Sequence, residues 1–175
     1  MKINKIVLLF FLCFNILIGF SQEKTRKQLK TEQRLEKQKE IEKMIDAKEF
    51  QFVARNSNSQ YFRMVDLTTN PNFIQFKPNF IKSEMPFFGR GFSGLAYGSS
   101  DAGLKFEGEP EKFTVQKNKK EYLIKVSVKG KQDFFDLTLS VSFEGNATLG
   151  INSNNRGPIS YFGEIMPIKE EKKKE

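Results

Sequence analysis

From residue 104 to residue 166 apolar and polar side chains alternate with a period of two, a pattern that fits strands with one face in a core and one in water. EYLIKVSVK turns Tyr122, Ile124, Val126 and Val128 one way and Lys125, Ser127 and Lys129 the other. FDLTLSVSF sets Phe135, Leu137, Leu139, Val141 and Phe143 against Asp136, Thr138, Ser140 and Ser142. GLKFE, KFTVQ, ATLGINS and ISYFGEI repeat the alternation with Leu104 and Phe106, Phe113 and Val115, Ala147, Leu149 and Ile151, and Ile159, Tyr161 and Ile165. The connections GEPE, NKK, GKQ, EGN and NNRG are short and rich in Gly, Asn, Pro or charge, as hairpin turns are. Strands joined so briefly are antiparallel neighbours, because a parallel crossover takes about a dozen residues or more. The spacing predicts a six-stranded meander, covered on one face and wet on the other.

Upstream the same period is present in shorter runs. FQFVARN places Phe50, Phe52 and Ala54 on one side. YFRMVDL divides less cleanly, with Tyr61, Arg63 and Val65 opposite Phe62, Met64 and Leu67, and FIQFK and NFIKS flank a turn at Lys77-Pro78-Asn79. Up to four strands thus precede the meander. The fold class expected is mainly β (α+β), a curled antiparallel meander sheet or half-barrel, lipocalin-like in outline, with one N-terminal helix. A two-layer β-sandwich is the alternative.

The N-terminus carries a separate signal. MKINK places Lys2 and Lys5 before the apolar run IVLLFFLCF, which relaxes into NILIGFS, the layout of an n-region and h-region. Gly19 and Ser21 supply small residues three and one before a cut that would leave Gln22 first. A retained anchor competes, but Asn15 interrupts a stretch that would need about 20 apolar residues. Lipidation at Cys13 is disfavoured by bulky Phe10, Phe11 and Leu12 just ahead of it. Cleavage removes the one cysteine and two of the 29 basic residues, so 27 remain against 21 acidic ones and the mature net charge is +6. With no cysteine and no histidine, Cys or His zinc sites, Cys/His nucleophiles, a Ser-His-Asp triad and histidine-ligated haem are excluded from the mature chain. No metal and no cofactor is expected.

Residues 23–48, EKTRKQLKTEQRLEKQKEIEKMIDAK, lack Gly and Pro and favour helix by intrinsic propensity. Their few apolar residues gather at the C-terminal end as Ile41, Met44 and Ile45, a stripe suited to packing. Leu29, Leu35 and Ile41 are six apart and sustain no heptad, so a coiled coil is weakly supported. The domain plan read from this is a signal peptide at 1–21, a charged helical extension at 22–37, a single β-rich domain at 38–168 and a charged tail at 169–175. Nucleic acid is not an expected partner, since acidic residues interleave the basic ones and the chain reads as exported.

Two places depart from the plain strand pattern. EMPFFGRGFSGLAYGSSDAG, residues 84–103, has no clean period and is dense in glycine; Arg90 stands between Gly89 and Gly91 with Phe87, Phe88 and Phe92 around it. A cation among aromatic rings suits an anionic or planar ligand; the structural reading is an Arg90 ion pair with Glu84, Asp101 or Glu107 that pins the loop. NSNNRG, residues 152–157, makes a tight turn on its own chemistry, and its amides and Arg156 equally suit a sugar or peptide. Most of the 15 phenylalanines after residue 21 read as core. The candidate ligand-binding set is Arg90, Phe88, Phe92, Tyr97, Asn152, Asn154, Asn155 and Arg156, brought by a curled sheet to one rim.

The pair of blocks PFFGRGFSGLAYGSSDAGLKFEG and GNATLGINSNNRGPISYFGEI resembles the DUF4251 family of exported Bacteroidetes proteins, over roughly residues 40–166. The resemblance implies a bacterial, periplasmic or outer-envelope location and a compact sheet-dominated α+β domain. It draws attention to Gly89, Arg90, Tyr97, Lys105, Phe106, Asn152, Ser153, Asn154, Asn155, Arg156 and Gly163, and it brings no activity with it. The expectation is a non-catalytic periplasmic or envelope binding module of unknown ligand: small molecule, glycan or envelope protein. It has no stable transmembrane span after processing. The rival is a structural or protein-interaction domain of the cell envelope. A hydrolase is a third reading, using a facing pair from Asp101, Glu107, Glu109, Asp133, Asp136 and Glu164.

Overall fold

The computed structural model describes residues 26–59, 64–92, 103–131 and 133–168; the N-terminal apolar run, Tyr61 to Arg63, Tyr97, Asp101 and the charged tail lie outside them. Helix α1 (Arg26–Ala47) precedes ten strands: β1 (Phe50–Ser59), β2 (Val65–Asp66), β3 (Phe73–Lys77), β4 (Phe80–Met85), β5 (Leu104–Gly108), β6 (Pro110–Lys117), β7 (Glu121–Lys129), β8 (Phe134–Ser142), β9 (Asn146–Ser153) and β10 (Ile159–Met166). Two units divide the chain between Leu35 and Glu36. In the first, Arg26 to Leu35 is helix with every side chain exposed, Leu29 and Leu35 included. Among the described residues no helix is long and apolar enough to cross a membrane.

In the second unit one antiparallel sheet holds all ten strands, in the order β5-β4-β3-β1-β10-β9-β8-β7-β6, with β2 paired to β1. The alternation read from sequence sets the faces. Phe50, Phe52, Ile74, Phe76, Ile81, Ile124, Leu139, Leu149 and Tyr161 are fully or almost fully buried on the inner side, each contributing about 1.5–3 kcal/mol by leaving water. The sheet curls into a nearly closed half-barrel, so strands far apart in its order meet across the core. Phe106 of β5 stacks on Phe135 of β8 with centroids 4.0 Å apart, and Phe76 of β3 meets the edge of Phe113 of β6 at 6.4 Å.

The two edge strands are consecutive in the chain. Only Glu109 separates β5 from β6, yet β5 pairs with β4 and β6 with β7. The hairpin expected at GEPE is therefore not formed; the chain leaves one edge of the sheet and enters the other without reversing. Pro110 is compatible with this crossing, since a residue with no N–H is tolerated at the first position of an edge strand, and the ladder shifts register between Pro110 and Lys112. As an edge strand β6 buries less than its alternation suggests: Phe113 is half-buried and Val115 exposed.

In β1 Phe50, Phe52 and Ala54 point inward as expected, and a bulge at Arg55 then resets the alternation so that Ser57 is buried. Beyond it Val65 packs on the core and Leu67 is buried, while Met64 is exposed, so Met64 and Leu67 lie on opposite sides, contrary to the grouping drawn from sequence. Asn72 is buried against this segment. Its Oδ1 accepts from the Ala54 N–H at 2.7 Å, and its amide donates to the carbonyls of Ala54, Leu67 and Asn70 at 3.2, 3.2 and 3.0 Å.

Ile41 and Ile45, one turn apart on α1, are buried in this core and Met44 packs beside them. Gly145 makes room for the helix: in the turn between β8 and β9 it has φ 88°, and a Cβ there would come within 2.8 Å of Ile41 Cδ1. Lys117 of β6 pairs with Glu42 on α1, and hydrogen bonding from that ammonium holds the exposed Glu42 carboxyl below its ordinary value. The helix ends in a Schellman arrangement, with Lys48 in the left-handed region at φ 53° and its N–H donating to Ile45 O, and the Glu49 N–H donating to Met44 O, both at 3.0 Å.

Candidate functional site

The described start of the first irregular stretch, up to Phe92, lies against the second. The connection from β9 to β10 runs from Asn154 to Pro158, longer than the tight turn expected, and residues 90–92 bond to it as a short ladder. The Phe92 N–H donates to Asn155 O at 2.7 Å and the Gly157 N–H donates to Arg90 O at 2.9 Å, bracketing a bridge between Gly91 and Arg156. Arg156 extends the junction: its guanidinium lies 5.4 Å from the Phe87 ring centre and donates to Gly103 O at 2.5 Å. Both ends of the 92–103 stretch are thereby held to one turn. Below, the Tyr161 hydroxyl donates to Pro86 O at 2.7 Å; burial pushes its ionisation far above the ordinary phenol value, a shift the nearby Arg156 charge partly opposes.

Asp133 ties this turn to the neighbouring one between β7 and β8. Its carboxylate accepts from the Phe134 N–H at 2.8 Å, the Asn154 N–H at 3.1 Å and the Ser153 hydroxyl at 2.5 Å. Its carbonyl accepts from the Gly130 N–H at 2.9 Å. These bonds make Asp133 a carboxylate that pins the two turns together.

Between these two turns and edge strand β5 the barrel seam opens into a cavity of about 420 Å³. The stacked rings of Phe106 and Phe135 form its floor. Its rim carries Lys82 and Glu84 of β4, Lys105 and Glu107 of β5, Lys131, and Asn155 and Arg156 of the β9–β10 turn. Lys82 and Glu84 are ion-paired at 3.1 Å. The lining as a whole carries Lys82, Lys105, Lys131 and Arg156 against Glu84, Glu107 and Asp133, so the rim is electropositive by one charge.

Of the expected set, Asn155 and Arg156 line this cavity. Arg90 is exposed and joins the β9–β10 turn through its backbone; Phe88 packs against the core; Phe92 is 68% exposed. Asn152 and Asn154 are exposed and stand outside the cavity lining, and Tyr97 lies outside the described residues. Reading the sequence for loop chemistry missed Lys82, Lys131 and Phe135, and reached Lys105 and Phe106 only through the family resemblance. Lys82, Lys105 and Glu107 sit in ordinary strand alternation, where an outward charge carries no local mark.

Of the carboxylates considered for hydrolysis, Glu107 and Asp133 line the same cavity and Asp101 lies outside the described residues. Asp136 accepts from the Ser127 hydroxyl at 2.6 Å, and Glu164 pairs with Arg55 at 3.0 Å. Among the described residues no group of three or more acidic, His or Cys side chains is placed to hold a metal.

Residues 32–165 match the model of a domain of unknown function, DUF4251. The chain belongs to the DUF4251 family. The crystal structure of a DUF4251 family protein from Bacteroides eggerthii is similar, with a TM-score of 0.59 at 18% identity, covering 75% of this chain and 87% of that one. At that identity the likeness is one of fold. No curated protein matches this chain. The DUF4251 match takes in the part of α1 that carries Ile41 and Ile45, every strand from β1 to β9, and β10 to its penultimate residue.

Proposed function

We propose that this DUF4251 domain is a non-catalytic binding module exported to the periplasm or outer envelope, and that its seam cavity takes a small ligand joining an anionic group to a planar or apolar body. The observation that carries the reading is the floor of stacked Phe106 and Phe135 beneath Lys105, Lys131 and Arg156. An aromatic floor supplies non-directional burial, and cations on one rim orient a charged end, the usual division of labour in a small-molecule site. The cavity volume falls within the range that such ligands occupy, about 300–1,000 Å³. The Lys2/Lys5 and apolar-run pattern supports export, with Gln22 as the mature N-terminus.

A domain that works by lending a sheet edge to an envelope partner is the rival. Edge strand β6 begins with Pro110, Glu111 and Lys112 and ends with Lys117, and charge and proline at an edge discourage strand addition. That favours the cavity.

A fluorescence titration with 8-anilinonaphthalene-1-sulfonate, a planar apolar body bearing one anion, tests the site. Lys105→Glu combined with Lys131→Glu, both exposed positions, is expected to weaken binding by about tenfold or more, equivalent to about 1.4 kcal/mol, with an unchanged melting temperature. Equal affinity in the two proteins would overturn the assignment. Export is checked separately, by N-terminal sequencing of protein from the periplasmic fraction, which is expected to begin at Gln22; recovery of an intact Met1 would refute processing.

A further inference from the structure

A second depression, of about 430 Å³, lies on the opposite, wet face of the sheet, where no part of the seam cavity reaches. The register shows how it is assembled. Thr148 of β9 pairs with Ser140 of β8 on one side and with Phe162 of β10 on the other, and Phe162 in turn pairs with Asn56 of β1. One cross-strand row therefore reads hydroxyl, hydroxyl, aromatic ring, amide. Ser142 and Asn146 supply a further hydroxyl and amide one step along.

Three features set this row apart from an ordinary solvated face. Phe162 is 39% exposed among polar neighbours, and an aromatic ring there contributes nothing to the core. Asn56 Oδ1 and Ser142 Oγ are buried with no hydrogen-bond partner among the described residues, whereas buried polar atoms in native proteins are almost always paired. Charge is sparse: Arg55 is paired with Glu164 at 3.0 Å, and Glu121 remains as a carboxylate that accepts from the Ser140 hydroxyl. The depression thus offers hydroxyl and amide groups and the Glu121 carboxylate beside one apolar ring.

From this geometry we infer that the wet face binds a neutral saccharide. A pyranose ring presents an apolar C–H face and a perimeter of hydroxyls that both donate and accept, which matches a ring platform flanked by Ser, Thr and Asn side chains. An anionic ligand meets the Glu121 carboxylate and an Arg55 already paired with Glu164, and a purely apolar one leaves the amides and hydroxyls without partners. Thr148 and Phe162 are the specificity residues: the ring stacks and the hydroxyl fixes the register of the sugar along β9.

The test is isothermal titration of the mature protein with hexasaccharides of β-1,4-glucose, α-1,4-glucose, β-1,4-xylose and β-1,4-N-acetylglucosamine. At least one is expected to bind, about tenfold more weakly to Phe162→Ala and measurably more weakly to Thr148→Val, while the Lys105→Glu, Lys131→Glu double variant binds it normally. Both single substitutions are on the exposed face and circular dichroism confirms that each variant is folded. Saccharide binding lost in the double variant and retained in Phe162→Ala would move the sugar to the seam and overturn this site. Binding of none of the four at millimolar concentration would overturn the inference outright.

Discussion

Gly163→Ala and Gly150→Ala add the same methyl group to neighbouring strands of one sheet, and the structure gives them opposite consequences. At Gly163 a Cβ would lie 2.0 Å from Val53 O and 2.8 Å from both the Val53 carbonyl carbon and Ala54 Cα. All three are backbone atoms of β1 beside the Arg55 bulge, so no side-chain rotation relieves the clash. The β1 and β10 strands have to part at the centre of the sheet. Overpacking of this kind costs about 1–3 kcal/mol, and loss of two flanking ladder hydrogen bonds adds about 1 kcal/mol each. The expected total is about 3–5 kcal/mol, a large part of the roughly 5–15 kcal/mol that holds a domain folded. For a domain of roughly 130 residues, with an unfolding entropy of about 2.1 cal/mol/K per residue, this lowers the melting temperature by about 11–18 °C. At Gly150 the nearest atom to an added Cβ is Thr138 O at 3.9 Å, on the wet face. There the substitution removes chain entropy from the unfolded state and is expected to be neutral or stabilising by up to about 1 kcal/mol. Thermal melts followed by circular dichroism on the two variants decide it. A Gly163→Ala protein melting within a few degrees of wild type, or a Gly150→Ala protein as damaged as Gly163→Ala, would refute the packing described for β1 and β10.

Asn72→Ala is expected to cost about 2–4 kcal/mol in urea unfolding, because it strands the buried Ala54 N–H and three carbonyls; a cost below 1 kcal/mol would show that Asn72 does not anchor the segment. Tyr161 keeps its proton in the fold at pH values where the unfolded chain, with an ordinary value of 10.0, loses it. Stability is therefore full below pH 10 and declines as pH rises above it. Tyr161→Phe is expected to cost about 1 kcal/mol at pH 7 through the lost bond to Pro86 O and to flatten that alkaline decline; a decline of unchanged slope would assign it to other groups. Glu42, with its carboxyl held low, contributes above its unfolded value of 4.5 and ceases to as pH falls through the folded one, so Glu42→Gln is expected to remove part of the acid dependence of the melting temperature. Deleting residues 22–37 is expected to leave the melt of the β-domain unchanged, while deleting 38–48 removes Ile41 and Ile45 from the core and lowers it; equal losses in both would misplace the boundary.

Much of the second unit was legible because burial in a sheet imposes a period of two. Tyr122 to Val128, Phe135 to Val141 and Leu149 to Ile165 face the core as their spacing requires, and the Pro78-Asn79 turn joins β3 to β4 in the expected hairpin. What was not legible depends on partners distant in sequence. Nothing local distinguishes Glu109-Pro110 as a crossing between sheet edges from the same residues in a hairpin turn; the difference lies in whether β5 finds β4. The bulge at Arg55, the buried amide of Asn72 and the three acceptor bonds of Asp133 are likewise fixed by segments that approach only in the fold. The same limit applied to the seam. Arg90 and Asn155 stood out because Gly and Asn mark unusual backbone, and residues 90–92 do meet the second turn, but the cavity beside them is also lined by Lys82, Lys105, Lys131, Phe106 and Phe135. Those side chains are ordinary on a strand or turn and become a site only when the sheet curls.

Amide chemical-shift mapping of the protein from Gln22 onward, titrated with 8-anilinonaphthalene-1-sulfonate, tests the seam as a binding site most directly, because it reports where the probe sits without presupposing it. The expected shifts gather at residues 82–84, 105–107, 131–135 and 155–156, and they vanish in the Lys105→Glu, Lys131→Glu protein. Shifts concentrated on the edge of β6 or on α1, or a seam pattern that survives the double charge reversal, would contradict the proposal that the electropositive rim and its aromatic floor form the binding site.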